Sequence, residues 1–421
     1  MRSLSATGLS RRALLELGVA AGLGACSRGS PAGGTSTAAS ATGSASPTGA
    51  TGEMAATSAV ESSSAPLGPS PTPRPESGWE LMIERFPRLA GIPRVALGEW
   101  PTPLEPAPAL AAELGLTTLF MKRDDLSSRV FGGGKVRKLE PILAEARASG
   151  RGAVITFGGA GSNHTVATAA FAPRVGLQVI VELAGQPRAS FIRERILANL
   201  ALGAEVRVST SVHDSEVEAQ RRAARDPSAP FVIATGGSSA AGDLGFVAAG
   251  FELAADLRAV GVDKPVCVVA AAGTAGSVAG LSVGLALAGL ANARVLAVRA
   301  SSAGTSSPRA LRDLQRAVMG AITAMSPELR VTPAPVSLDG GFLGRGYGYE
   351  TEDGRAATAL TAKLASVSLD PVYTSKAMAG LVKRAPSFKD EAVVFWCSQP
   401  TTNIDVSGVD PARIPEELRA L

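Results

Sequence analysis

Histidine and cysteine are scarce in this chain. Its 421 residues include two histidines, His164 and His213, and three cysteines, Cys26, Cys267 and Cys397. Ligands so few and so scattered exclude a disulfide framework and leave neither a metal cluster nor a zinc site to expect. Excess charge is lacking too: 41 Lys+Arg stand against 37 Asp+Glu, a net +4, and no basic block of the kind that grips nucleic acid occurs. Nucleic acid is therefore not an expected partner. The apolar run near the N-terminus falls short of the ~20 residues that a membrane-spanning helix needs.

That run follows Ser10-Arg11-Arg12-Ala13-Leu14-Leu15 and ends at Leu23-Gly24-Ala25-Cys26. Paired arginines before a weakly apolar segment resemble a twin-arginine export signal, and Leu-Gly-Ala-Cys resembles the lipobox at which bacterial lipoproteins are cut and acylated. Residues 1–26 then read as an export signal with Cys26 as the lipidated residue. The implied location is exported and lipid-anchored to a bacterial membrane, periplasmic or on the outer surface. An ordinary secretory signal with a chance cysteine is the plainer alternative. Residues 27–78 are mostly Ser, Thr, Ala, Gly and Pro, with five charges, Arg28, Glu53, Glu61, Arg74 and Glu76. They cannot bury enough apolar surface to offset their ordering entropy, and they read as a disordered tether.

From Trp79 onward the pattern changes to short apolar runs alternating with helical periodicity. Ala153 to Phe157, Gln178 to Leu183, Glu205 to Val208, Phe231 to Ala234, Val266 to Ala271, Arg294 to Val298 and Ala392 to Trp396 read as buried strands. Leu139 to Ala148, Thr165 to Val175 and Phe191 to Leu202 read as helices between them, and Gly276 to Leu290 as a buried helix packed close to a sheet. Such alternation predicts an α/β fold with mostly parallel sheets flanked by helices.

Two glycine-rich turns stand out. Phe131-Gly132-Gly133-Gly134 leads into Lys135, and Gly273-Thr274-Ala275-Gly276-Ser277 directly follows a strand and opens a helix. The second could be a plain strand-to-helix turn or an anion cradle. No acidic residue follows at the position a dinucleotide ribose requires, and the Gly-Lys-Ser/Thr ending of a nucleotide P-loop is missing, so a single phosphate is the guest it suits best. An amine in a tight loop together with a phosphate cradle is what an enzyme using pyridoxal 5'-phosphate needs. Ser162-Asn163-His164-Thr165 opens another helix, where it either caps the helix or binds a substrate carboxylate on free amides. Ser162 and His164 are two residues apart and do not face each other on a helix, which argues against a hydrolytic pair. Arg137, Lys138 and Glu140 read as a charged, solvated helix face without a role.

Taken in order, Lys122-Arg123-Asp124-Asp125-Leu126, Phe131 to Lys135, Arg137 to Glu140, Ser162-Asn163-His164, the Gly273 loop and Asp370-Pro371-Val372-Tyr373 resemble the D-cysteine desulfhydrase and 1-aminocyclopropane-1-carboxylate deaminase family. That family belongs to the tryptophan-synthase-β-like, fold-type II pyridoxal-phosphate enzymes. The resemblance spans nearly all of Phe86 to Ser398. It implies a large cofactor domain from residues 79–138 and 246–421, a small domain from 139–245, and a homodimer. It assigns Lys135 as the residue that holds the cofactor covalently and moves the α-proton, and Asn163 as the partner of the ring hydroxyl. Gly273, Thr274, Ala275, Gly276 and Ser277 become the phosphate loop, and Ser398 the hydroxyl opposite the ring nitrogen. Ser162, Asn163 and His164 are assigned to substrate binding, while Ser162, Tyr347 and Tyr373 are placed as catalytic groups beside Lys135.

Within the family, deaminases of the cyclopropane substrate carry Glu after the second tyrosine. Here Thr374 stands there, as in the desulfhydrases. The implied activity is α,β-elimination of a β-substituted D-amino acid such as D-cysteine; ring-opening deamination and a non-catalytic amino-acid- or pyridoxal-binding lipoprotein are the alternatives. Gly134, the Ser366-Val367 pair, Cys397, Gln399 and Pro400 depart from the family pattern, and all are expected to touch the cofactor pocket.

Overall fold

The structure, a computed structural model, describes residues 77–421. The segment read as an export signal, Cys26 and all of the expected tether except its last two residues lie outside the described residues. Those last two, Ser77 and Gly78, are a correction to the tether. Ser77 caps helix α1 (Gly78–Arg85) in a reciprocal box with Glu80, which satisfies two amide donors at the helix start.

Among the described residues two sheets form. The larger has six strands in the order β1 (Leu104–Pro106), β2 (Leu119–Lys122), β10 (Ala392–Trp396), β7 (Val266–Ala272), β8 (Ala293–Arg299) and β9 (Val336–Asp339). Every pairing in it is parallel except the β1–β2 edge. The smaller is wholly parallel, in the order β5 (Glu205–Ser209), β4 (Gln178–Ala184), β3 (Ala153–Gly159) and β6 (Phe231–Val232). All seven expected strands are present, β6 at two residues instead of four, but β5, at the edge of its sheet, is largely exposed and β6 only half-buried, which corrects the expectation of burial for those two. Helices flank the sheets, so the α/β reading holds. Three strands carry no clear signal: β1 contains Pro106, and β9 reads Val-Ser-Leu-Asp with none of its residues fully buried. At four residues, β2 is simply short.

Helix α7 (Ala240–Ala259) and helix α8 (Gly276–Leu287) approach each other backbone to backbone. A Cβ on Gly250 would lie 2.5 Å from the Gly284 carbonyl carbon, and one on Gly280 or Gly284 would collide with the Asp243 or Val247 carbonyl oxygen. The buried helix therefore packs not only on the sheet, as its composition predicts, but also on a neighbouring helix.

Helix α3 (Lys135–Ala148) corrects a second expectation. Arg137, Lys138 and Glu140 are buried, because this face of the helix packs on α7 instead of meeting solvent. Arg137 bonds Asp124 through Nη2 (2.7 Å) and Nε (2.8 Å), and Glu252 through Nη1 (3.0 Å) and Nη2 (2.9 Å). Lys122 Nζ adds 2.6 Å contacts to Glu252 and Asp256. Against burial, which would raise it, Arg137 and Lys122 pull the Glu252 carboxyl down to about 2. Glu140 accepts from the Trp79 and Trp100 indoles at 3.2 and 2.7 Å and from the Leu97 and Gly98 amides. A charge bound this way is costly to strand, since removing one partner leaves the others buried and uncompensated.

Arg137→Met is therefore expected to lower the unfolding free energy by about 3–5 kcal/mol. Urea titration would read this as a lower midpoint at an unchanged slope. Glu252 ionises below its ordinary 4.5 in the fold, so its contribution is full above pH 4.5 and is lost as pH falls through about 2. The variant should flatten that acid limb.

Candidate active site

In parallel sheets, ligands gather beyond the carboxyl ends of the strands, where chains leave the sheet with free amides. Here both sheets point such ends at one cavity of about 330 Å³. Ser162, Asn163 and His164 follow β3; Thr235 and Gly236 follow β6. Gly273 to Ser277 follow β7, Ser301 and Ser302 follow β8, and Ser398 follows β10. Lys135, Tyr347 and Tyr373 complete the wall. Every candidate cofactor, substrate and catalytic residue named from the sequence lines this space. Thr235, Ser301, Ser302 and Thr305 line it as well and belong to no motif. Their only signal is that the first three come within three residues of the end of a strand.

Lys135 is the first residue of α3. Its Nζ donates to the Gly236 carbonyl at 3.0 Å. Burial pulls its amine down from the ordinary lysine range to about 7, with the nearby Lys138 adding to the shift and Asp243 opposing it. The glycines before it mark close approach, not looseness. Gly133 has φ +98°, and a Cβ there would lie 2.8 Å from the Ser398 carbonyl oxygen, while the Gly134 amide donates to that same oxygen at 3.1 Å. Facing Lys135, Gly236 has φ +68°, and its Cβ would come within 2.8 Å of Thr274 Oγ1.

The Gly273 loop is backed by a buried ammonium. Lys138 Nζ lies 3.0 Å from Asp243 Oδ1 and donates to Ser238 Oγ at 2.8 Å, and Ser238 Oγ sits 2.5 Å from Thr274 Oγ1. Gly276 packs directly on this pair: an added Cβ would collide with Asp243 and Ser238 and stand 2.6 Å from Lys138 Nζ. Ala275 adopts the left-handed region at φ +63°, a strained conformation for a residue with a side chain and one that clusters at ligand clamps. Helix α8 starts here, so its unpaired first amides border the cavity.

Ser162 caps helix α4 (Asn163–Phe171), accepting from the His164 amide at 3.2 Å. The His164 ring turns elsewhere. Its Nε2 meets Thr156 Oγ1 at 3.0 Å, and Thr156 itself donates to the Ile233 carbonyl, so Nε2 is the donor and the buried Nδ1 is left without a partner. Burial, reinforced by Lys135 and Lys138, pushes His164 well below the ordinary imidazole range and keeps it neutral. No Ser–His pair exists at this helix. The Asn163 side chain makes no hydrogen bond among the described residues and is free to serve a ligand.

Tyr373 donates to the Tyr347 hydroxyl at 3.0 Å. Burial raises both phenols, each also facing the Asp370 charge, so both stay protonated. Asp370 accepts from the Val372, Tyr373 and Thr374 amides at the start of helix α11 (Thr374–Arg384). From the same helix, the buried Lys376 ammonium donates to the Leu343 and Gly346 carbonyls, each at 3.1 Å, and ties down the loop that carries Tyr347. Thr374 is fully buried with its hydroxyl on Asp370 and does not line the cavity. Among the departures from the family pattern, Gly134, Gln399 and Pro400 line the cavity. The others do not, which corrects that expectation. Ser366 ends helix α10 (Glu352–Ala365) at φ +54°, and Val367 and Cys397 are buried in an apolar core cluster.

A buried amine near neutrality, a strained helix start with an ammonium behind it, and hydroxyls from Thr274, Ser277 and Ser398 form a donor set for a molecule with an aldehyde at one end and a phosphate at the other. The fold and the site thus define an enzyme that works through a coenzyme. Residues 95–399 match the family model of pyridoxal-phosphate dependent enzymes, and the chain belongs to that family. Its cofactor is pyridoxal 5'-phosphate. The chain is 36% identical over 320 residues to the D-cysteine desulfhydrase of Klebsiella pneumoniae subsp. pneumoniae, covering 73% of this chain and 94% of that protein. A crystal structure described as an ACC deaminase homologue superposes with a TM-score of 0.65 at 29% identity, covering 76% of this chain and 95% of that one. The processed form of threonine deaminase isoform 2 from Solanum lycopersicum shares the fold, with a TM-score of 0.54 at 17% identity over 81% of this chain and 94% of the other.

One consequence of the Lys135 environment is measurable without any cofactor. Amine acylation of the cofactor-free protein by acetic anhydride, followed across pH by peptide mass spectrometry, should reach half its limiting rate at Lys135 near pH 7. Exposed lysines should do so near ~10.4. The sign follows from the neutral amine being the nucleophile and dominating above the group's own pKa.

Proposed function

We propose that this protein eliminates the β-substituent from a D-amino acid such as D-cysteine, consuming one water and releasing pyruvate, ammonia and hydrogen sulfide. The observation that carries the reading is the Lys135 amine, held near neutrality in the same cavity as the Tyr347–Tyr373 hydroxyl pair. Pyridoxal phosphate, when bound, draws electrons from the substrate's Cα and makes its proton removable. Lys135 would hold the cofactor covalently and then, as a free amine, accept that proton, for which a pKa near the working pH is the suitable value. Asn163 and the Gly273 to Ser277 loop would orient the ring and phosphate, with Ser398 opposite the ring nitrogen. Ser162, Asn163 and His164 would receive the substrate at the start of α4. The protonated Tyr373–Tyr347 pair would supply a proton on the leaving-group side. The relative's activity supports this reading.

Ring-opening deamination of 1-aminocyclopropane-1-carboxylate is the second reading, favoured by the likeness to the ACC deaminase homologue. Thr374 speaks against it, since this position carries a buried, internally bonded hydroxyl in place of an acid. A purely binding role is disfavoured by the lyase activity of the 36% identical relative. We further propose the domain division at about residues 139 and 245, a homodimer, and anchoring through Cys26. The division is supported by the smaller sheet drawing all its strands from Ala153 to Val232, and the anchoring by the arginine pair and lipobox.

With the holoenzyme, D-cysteine is expected to yield equimolar sulfide and pyruvate, with L-cysteine and the cyclopropane substrate far slower. Lys135→Ala should lower kcat by ~10²–10⁴-fold. Silence toward all β-substituted amino acids would end the elimination reading. Separately, growth on an alkyne-tagged fatty acid should label the full chain but not Cys26→Ser, as read by gel fluorescence.

A further inference from the structure

A second cavity of about 300 Å³ adjoins the first and shares Asn163, Asp370, Tyr373, Gln399 and Pro400 with it. Arg195, on helix α5 (Ser190–Ala201), stands in its wall. The guanidinium makes no ion pair and donates no hydrogen bond among the described residues, and its Nη1 is buried without a partner. Its Cζ lies 5.6 Å from the centroid of the Phe131 ring. Burial works against the charge, and Glu194 and Asp370 support it only at a distance. The fully buried cations among the described residues find acceptors: Arg137 has two carboxylates, Lys122 two, Lys138 has Asp243, and Lys376 two carbonyls. Arg195 and Arg299 each keep a buried guanidinium nitrogen without a partner, and of the two Arg195 is the one that lines the annex.

The other charge in this annex, Asp370, does not fill the gap. Its two oxygens accept from three amides and the Thr374 hydroxyl, so its demand is met within its own helix start. Two buried polar atoms of residues lining the annex lack partners, the Arg195 Nη1 donor and the neutral Gln399 Oε1 acceptor, and of these two only Arg195 carries a charge. A guanidinium offers five donors in a planar fork matched to a carboxylate.

We infer that the annex is a subsite for the substrate's β-substituent and that Arg195 selects substituents ending in a carboxylate. This rests on the elimination reading above and deepens it: the natural leaving group is larger than a bare thiol and carries its own negative charge. The space beside Asn163 and Tyr373 gives such a group room, and Arg195 gives it a counter-charge.

The test compares S-carboxymethyl-D-cysteine with its neutral isostere S-carbamoylmethyl-D-cysteine on the holoenzyme. The wild type should favour the carboxylate by about tenfold to a hundredfold in kcat/KM, mainly through KM. Arg195→Gln should bring the ratio close to one and Arg195→Lys should restore part of it. Because the ratio is taken within each variant, a general loss of activity cancels. Calorimetry with thiodiglycolate, a dicarboxylate with no amine to react, needs no turnover. Saturable binding that disappears in Arg195→Gln supports the subsite even if no amino acid is consumed, in which case the elimination reading falls alone. Turnover of D-cysteine with equal kcat/KM for the two S-substituted substrates, and no thiodiglycolate binding, overturns the subsite alone.

Discussion

The site hangs on the seating of helix α3, and that seating depends on one buried guanidinium. Arg137 lies two residues beyond Lys135 and is locked between Asp124 and Glu252, so it ties the start of α3 to the end of β2 and to the middle of α7. Gly245 allows the fit, because any side chain there would collide with the Arg137 carbonyl. With this turn of the helix clamped from below, the Lys135 amine is presented to the cavity at a depth where water no longer supports its charge. A buried ion network is weak evidence of added stability, but it specifies one arrangement, since its charges find partners in no other.

The same economy of placement governs the Gly273 to Ser277 loop. Lys138 is one residue beyond the clamp, and its ammonium, shared with Asp243, reaches the loop through the Ser238 and Thr274 hydroxyls. Two lysines three residues apart on one helix thus play opposite parts. One has no carboxylate within ion-pair distance and its amine is drawn down to about 7; the other is paired with Asp243 at 3.0 Å. Their nearness is part of the cause, since the cation lowers the proton affinity of its neighbour.

Much of this was legible in the sequence where the signal is local. The seven strands announce themselves by runs of β-branched and apolar residues, and the two glycine turns by the backbone they require. Lys135, Ser162 to His164, Gly273 to Ser277, Tyr347, Tyr373 and Ser398 line one cavity, though they are scattered over more than half of the described chain. What stayed hidden depends on which neighbour a face meets. Arg137, Lys138 and Glu140 look solvated because charge on a helix usually is, and only the packing of α7 reveals them as buried. Ser301, Ser302 and Arg195 belong to no motif, and their relevance comes from where a strand or helix happens to stop.

Helix α11 reaches both phenols of the tyrosine pair. Tyr373 sits at its mouth, and Tyr347 is held through the grip of Lys376 on two carbonyls of the preceding loop. One element therefore sets both hydroxyls and their mutual 3.0 Å spacing. The hydroxyl-bearing wall of the chamber is in this sense a single piece hung on α11, as the amine-bearing wall is hung on α3.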